Sequence, residues 1–261
     1  YEIMPSLVGS EMCIRDRRRA SWEDSMLHVQ NMVLDNCLST IKHETIYYPN
    51  KIKQIIGRLN TQNLPEKDER EAVETITELI EYYKGIFTIL SSCAARQLEE
   101  VTFRRNTIPV QELFDAAGKY FRKVTKNRTE KVELIIEPMD AKVIGDVNQL
   151  RFLFENLIDE ALAVREEGVI CLQARKDNEY IRFLFTDTRR EKSVTELNQL
   201  FYPNLARMTS GEKGELRGTE YLICKQIIRD HDEFAGRRGC RINAEPAEGG
   251  GFTVYFTIPR R

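Results

Sequence analysis

The sequence predicts an α+β protein in two parts: an N-terminal antiparallel helical hairpin that assembles as a dimeric four-helix bundle, followed by an α/β sandwich. Two observations carry this. Apolar or aromatic residues recur every seven positions at Leu27, Leu34, Ile41, Tyr48 and Ile55, with Leu38, Thr45, Ile52 and Leu59 four residues on, the narrow seam of a coiled-coil-like helix. Near residue 100 the pattern changes, and helical runs segregate from strands in mostly antiparallel order.

The opening run "YEIMPSLVGSEMCIRDRRR" has no helical or strand period. It resembles a translated adapter segment of the kind that recurs at the ends of unrelated assembled sequences. Residues 1–19 are therefore set aside as non-native or disordered, which would leave the natural N-terminus missing. The first helix then covers about 40 residues, near 60 Å at 1.5 Å per residue. It ends at the breaker-rich "NTQNLPEKDE" (60–69), after which Val73, Ile76, Ile80, Tyr83, Phe87 and Leu90 alternate spacings of three and four. Each hairpin has only a narrow stripe to bury, so two copies closing one bundle is the economical arrangement, and a homodimer is expected.

The domain boundary falls near Glu99–Arg105. Beyond it, "VTFRRNTIPVQELFDAAGKYFRKV" reads as a short strand and then a helix from about Val110, with Pro109 at its start. "KVELIIEP" and "KVIGD" read as strands, "NQLRFLFENLIDEALAV" as an apolar-rich helix, and "GVICLQARK" and "YIRFLFTD" as paired strands. A Gly- and charge-containing loop (204–218) leads to the helix "TEYLICKQIIRDH". The last hairpin, "CRINAEPAEGGGFTVYFTIP", turns at Glu248-Gly249-Gly250-Gly251. His231 is expected to cap the C-terminal end of its helix, where a partly charged imidazole favours the dipole.

Composition narrows the function. With 261 residues, 41% hydrophobic, 31% charged and a net charge of −2, the chain gives no reason to expect nucleic acid or an anionic membrane surface as partner. No apolar run approaches the roughly 20 residues that span a bilayer. Six cysteines without a CxxC pair read as reduced, mostly buried thiols of a cytoplasmic protein, or of the intracellular part of a longer membrane-anchored sensor.

The chemistry-bearing feature is "IKHETIYYPNKIKQII" (41–56). At 100° per residue the seam formed by Ile41 and Thr45 lies near 20° when Ile41 is set to zero, and His43 lies near 200°, away from the bundle core. An exposed imidazole beside the Glu44 carboxylate suits nucleophilic work, because Glu44 can hold the ring and take its proton as it attacks a phosphoryl group. The competing reading is a solvated surface histidine.

His43-Glu44 with the downstream Pro49, a second heptad helix, and then a domain carrying "VIGDVNQLRFLFENLIDEAL" together resemble the core of sensor histidine kinases, over about residues 27–259. The resemblance implies a dimerisation and phosphoacceptor hairpin over 20–98. It implies an ATP-binding α/β sandwich of the histidine kinase, gyrase and chaperone type over 101–259. His43 is then the phosphoacceptor and Glu44 its acid/base neighbour. Asn156 matches the first asparagine of the family's asparagine box, and Asp187 the aspartate that binds the adenine amino group. Lys213 and Gly218 are the lid-side nucleotide candidates. Mg-ATP is the implied cofactor, and a response-regulator receiver domain the implied partner.

The phosphate-binding half departs from that family. Glu160 replaces the second asparagine of the box, making it the metal candidate for Mg²⁺ while adding a negative charge beside a triphosphate. Arg189 and Glu191 replace two glycines, so close backbone approach is lost, although Arg189 or Arg190 is placed to contact a phosphate directly. Of the last three glycines only Gly218 remains, with Leu216 and Glu220 in the other places. Three readings follow: a histidine kinase transferring phosphate from ATP through His43 to a receiver aspartate; a pseudokinase or histidine phosphotransfer scaffold that does not use ATP productively; and a coiled-coil dimerisation element without chemistry.

Overall fold

The computed structural model describes residues 4–61, 65, 67–80, 103–202 and 219–261. By compactness the chain divides into two units: residues 1–30, 99–201 and 220–261 in one, 31–98 and 202–219 in the other.

Helix α1 (Met4–Thr61) is 58 residues long, longer than the seam predicts, and runs through the segment expected to lack regular structure. That segment has no apolar period, but its Arg, Glu and Met content favours helix, and the Arg19 to Glu23 pair at 2.8 Å supports the turn beyond it. The helix continues through Pro49. After the break, residues 67–80 form α2, the second arm of the hairpin. Ile52, Ile55, Leu59 and Ile76 of the predicted seam are half-buried and Leu79 is buried, whereas Ile56, Val73 and Ile80 stay exposed.

In the other unit residues 21–29 of α1 lie against the sandwich. Ser21, Ser25 and Val29 are buried, Trp22 stands edge-on to Phe152 at 6.0 Å, and Asn148 Nδ2 donates to Ser21 Oγ at 3.3 Å. Leu27 of the predicted seam is exposed there, because the sandwich selects the Ser21–Ser25–Val29 face instead. Trp22 gave no signal in the sequence.

The sandwich follows the predicted order. Strands β1 (Asn106–Pro109) and β3 (Lys142–Gly145) form an antiparallel ribbon. Five strands make the main sheet, in the order β2 (Val132–Ile136), β4 (Gly168–Asp177), β5 (Tyr180–Asp187), β7 (Phe252–Pro259), β6 (Ile242–Pro246). Only β2 with β4 is parallel. Helices α3 (Val110–Thr125), α4 (Val147–Leu162) and α6 (Glu220–Phe234) pack on the sheet, and a short α5 (Val194–Gln199) follows β5.

The core is aromatic. Alternation along β5 buries Ile181, Phe183 and Phe185. Phe183 stacks on Phe256 at 4.9 Å, and Phe114 and Phe154 meet Phe183 edge-on at 6.0 and 5.9 Å. α3 buries Val110, Leu113, Phe114, Ala117 and Phe121, the spacing of a single apolar stripe. The same alternation that turns Phe183 and Phe185 inward also turns Asp187 inward, at the end of β5.

The start of α4 is fixed by Asp146. Its Oδ1 accepts from the Asn148 and Gln149 N–H groups at 2.9 and 3.2 Å, and its Oδ2 from the Arg104 N–H at 2.8 Å. Its own N–H donates to His231 Nε2 at 3.1 Å, while His231 Nδ1 bonds the Ile227 carbonyl at 2.7 Å. His231 is thus a fully buried neutral ring inside the domain and not a charged helix cap; burial lowers its pKa to about 4. Gly145 makes room for it, since a Cβ there would come within 2.7 Å of the ring.

Candidate functional site

The nucleotide candidates that the structure describes lie where the C-terminal ends of α4 and β5 meet. Asn156, Glu160 and Asp187 are all buried, at 6, 3 and 1% exposure. Asn156 Nδ2 donates to the Phe152 carbonyl one turn back at 2.7 Å, so its amide is tied to its own helix. Lys213 and Gly218 lie outside the described residues. His43 and Glu44 lie on the backbone of α1, and their side chains are outside the described residues.

Asp187 is the centre of the site. Its Oδ1 accepts from the Arg189 N–H at 3.1 Å and from Arg189 Nε at 2.8 Å; its Oδ2 accepts from Arg189 Nη2 at 2.9 Å and Arg190 Nε at 3.2 Å. A carboxylate offers about four lone-pair positions, and four donors are in place. Arg189 is as buried as its partner. Its Nη2 also donates to the Ala161 carbonyl at 2.6 Å, and its Nη1 to the Glu166 carbonyl at 3.3 Å. Arg190 donates through Nη2 to the Glu160 carbonyl at 3.3 Å and brings Nη1 to 3.9 Å from Glu160 Oε1. Its guanidinium lies over the Phe252 ring at 5.7 Å, as does the Lys192 ammonium at 5.5 Å.

These contacts follow from position. Arg189 and Arg190 come two and three residues after Asp187 at the end of β5, so their side chains fold back onto the carboxylate and the last turn of α4. That turn lies at the negative end of the helix, where backbone carbonyls are under-partnered; the Glu160 carbonyl takes the Ala163 N–H at 3.3 Å and has room for a second donor. Arg128 completes the set, donating to the Leu162 and Val164 carbonyls at 2.7 and 3.3 Å. The sequence places Arg189 or Arg190 on a phosphate; in the structure both are spent on the protein's own oxygens.

As placed, the Asp187 carboxylate does not fit the adenine amino group that the resemblance implies. The Asp187 carboxylate has no acceptor position left for an adenine amino group, and the Asn156 amide donates to its own backbone. Glu160, the metal candidate, has its Oε1 3.9 Å from the Arg190 guanidinium. Elsewhere, burial raises the Cys224 thiol well above its ordinary pKa and the Cys240 thiol to about 12, so both are unreactive, and both are free, as the composition suggests. Among the described residues no helix is long and apolar enough to cross a membrane.

Sequence reasoning overlooked the donors. It marked Arg189 as a glycine lost, and the signal it passed over was Asp-x-Arg-Arg itself, a carboxylate followed at two and three residues by guanidinium groups able to close on it.

Comparison with known proteins agrees with this geometry at the level of the fold. Residues 145–261 match the sequence model of the histidine kinase-, DNA gyrase B- and HSP90-like ATPase family. The signal transduction histidine-protein kinase BaeS of Escherichia coli K12 is 24% identical over 163 residues, 61% of this chain and 33% of that protein. The sensor histidine kinase RcsC of Escherichia coli K12 is 24% identical over 228 residues, 85% of this chain and 23% of that protein. The chain thus spans a third or less of the length of these curated relatives. The crystal structure of histidine kinase ThkA in complex with response regulator protein TrrA superposes with a TM-score of 0.50 at 19% identity, covering 92% of this chain and 65% of that one. Residues 145–261 thus carry the sequence pattern of the histidine kinase-, DNA gyrase B- and HSP90-like ATPase family, and the chain is similar to sensor histidine kinases.

Proposed function

We propose that the chain is the core of a two-component signalling protein in which His43 carries a phosphoryl group exchanged with a receiver-domain aspartate. The observation that carries this is the order of parts: a family ATPase-type domain preceded by a long helix bearing His43-Glu44. In the transfer, the His43 ring nitrogen attacks the aspartyl phosphoryl phosphorus, the carboxylate of the receiver leaves, and Glu44 holds the imidazole as charge develops on it. The partner is a receiver domain, by analogy with the ThkA complex.

Two copies would close the bundle. Ile56, Val73 and Ile80 are exposed on the hairpin of a single chain, which supports a homodimer as the working form. The module would work in the cytoplasm, either free or as the intracellular end of a membrane-anchored sensor.

Between the two sources of phosphate, the filled Asp187 favours relay over direct use of ATP. The test is to load receiver domains with phosphate from acetyl phosphate and mix them with the chain. Acid-labile label should appear on the wild type and be absent from His43→Gln. Equal label on both, or on neither, removes the proposal.

A further inference from the structure

We infer that Arg189 and Arg190 are built-in occupants of the nucleotide site, so that this domain is held closed by its own guanidinium groups and stays folded without ATP. The inference deepens the relay reading above and rests on it.

Three independent features fit the site to arginine and not to a nucleotide. The first is donor saturation: four N–H groups of Arg189 and Arg190 fill Asp187, at 2.8 to 3.2 Å. The second is the end of α4, whose Glu160 and Ala161 carbonyls accept from the same two side chains. The third is Gly168, the first residue of β4. Its φ of +141° is one that side-chain-bearing residues rarely adopt, and a Cβ there would come within 2.6 Å of Arg189 Cγ. The backbone therefore leaves the space that the stem of Arg189 fills.

The network also pairs buried charges of opposite sign. Asp187 pairs with both guanidinium groups, Glu160 Oε1 lies 3.9 Å from Arg190, and Phe252 forms an apolar floor under Arg190 and Lys192. The planar fork of Arg189 reaches both oxygens of one carboxylate and two carbonyls, four acceptors where a lysine has three N–H groups. Adenine entering here would have to displace both arginines and leave their charges buried without partners.

The experiment is a fluorescence titration of the 261-residue chain with N-methylanthraniloyl-ATP and Mg²⁺, with unlabelled ATP as competitor, alongside thermal unfolding. The wild type should show no saturable, competable binding up to about 1 mM, the upper end of ordinary KM values, and no change in unfolding midpoint on adding Mg-ATP. The double variant Arg189→Gly/Arg190→Ala should unfold about 5 °C or more below the wild type, bind the probe at least tenfold more tightly, and recover part of its lost midpoint when Mg-ATP is added. Should that variant fail to fold, Arg190→Ala alone supplies the same readings at smaller amplitude. Competable binding by the wild type overturns the inference. So does a folded variant with an unchanged midpoint, or one that gains no affinity. Label passing from a phosphorylated receiver to His43 is read separately, so loss of the relay reading would leave these nucleotide results distinguishable from it.

Discussion

At the residue scale, buried charge decides most of what this domain tolerates. Asp187 and Arg189 are each 1% exposed, and removing one partner strands the other, a loss of about 3–5 kcal/mol. Asp187→Ala should therefore lower unfolding free energy by about that amount in urea, whether or not nucleotide is present; a neutral effect would show that the carboxylate serves a ligand and not the fold. Two other buried groups pull stability in opposite directions with pH. His231 is driven down from 6.5 to about 4, so its neutral form is favoured in the fold: its contribution is complete above pH 6.5 and is lost as pH falls to 4. Asp230 is driven up by burial from 3.8 to about 6, so its cost is complete above pH 6 and is relieved as pH falls toward 3.8. Asp230→Asn keeps an acceptor for Gln226 Nε2 and removes the opposing titration. Its stability should fall more steeply than that of the wild type between pH 6.5 and 4, and parallel curves would contradict the Asp230 assignment. The sequence placed Asp187 by its position after a strand, and it read Arg189 as a lost glycine and Arg189 or Arg190 as a phosphate contact. Whether a guanidinium turns outward to a phosphate or inward to a carboxylate is set by what surrounds it. Nothing in the letters told of the α4 carbonyls waiting opposite.

At the element scale, the legible parts were those with a period. The stripe of α3, the alternation of β5 and the glycine-rich turn between β6 and β7 all read directly from spacing, and α3 begins at Val110 as its proline requires. α5 went unread because six residues are too few for a period, although Ser193 and Glu196 form a capping box that marks its start. The parallel pairing of β2 with β4 left no trace in either strand, since pairing direction is settled by the whole sheet. His231 was misread because helix position alone does not reveal burial; its neighbours Phe103 and Gly145 come from distant parts of the chain. Asp146 ties the start of α4 to two distant parts, accepting from the Asn148, Gln149 and Arg104 N–H groups and donating its own N–H to His231 Nε2. Replacing it with alanine should cost about 2 kcal/mol, the upper end of the N-cap range, while Asp146→Asn should cost less than half of that by chemical denaturation. Equal losses would assign the effect to charge and not to the cap.

At the scale of the whole molecule, the frame of an ATPase-type sandwich stands together with arginine side chains turned inward onto Asp187. The aromatic core of Phe114, Phe154, Phe183 and Phe256 does not depend on a ligand, and the ends of α4 and β5 are joined by arginines. Fold and chemistry can separate in this way because packing is spread over dozens of residues while ligand contact rests on a few. On this account phosphate reaches His43 from a receiver domain, and the C-terminal domain serves as a scaffold. If Glu44 assists that exchange, Glu44→Gln should slow it by about 10²-fold without changing the unfolding midpoint, as measured by rapid-quench transfer. The most direct test supplies radiolabelled phosphate to the chain in two parallel forms, as Mg-ATP and as a phosphorylated receiver domain, and follows acid-labile label on wild type and His43→Gln. The account predicts label on the wild type from the receiver alone. Label on His43 from Mg-ATP without a receiver would contradict the closed site, and no label from either source would contradict the relay.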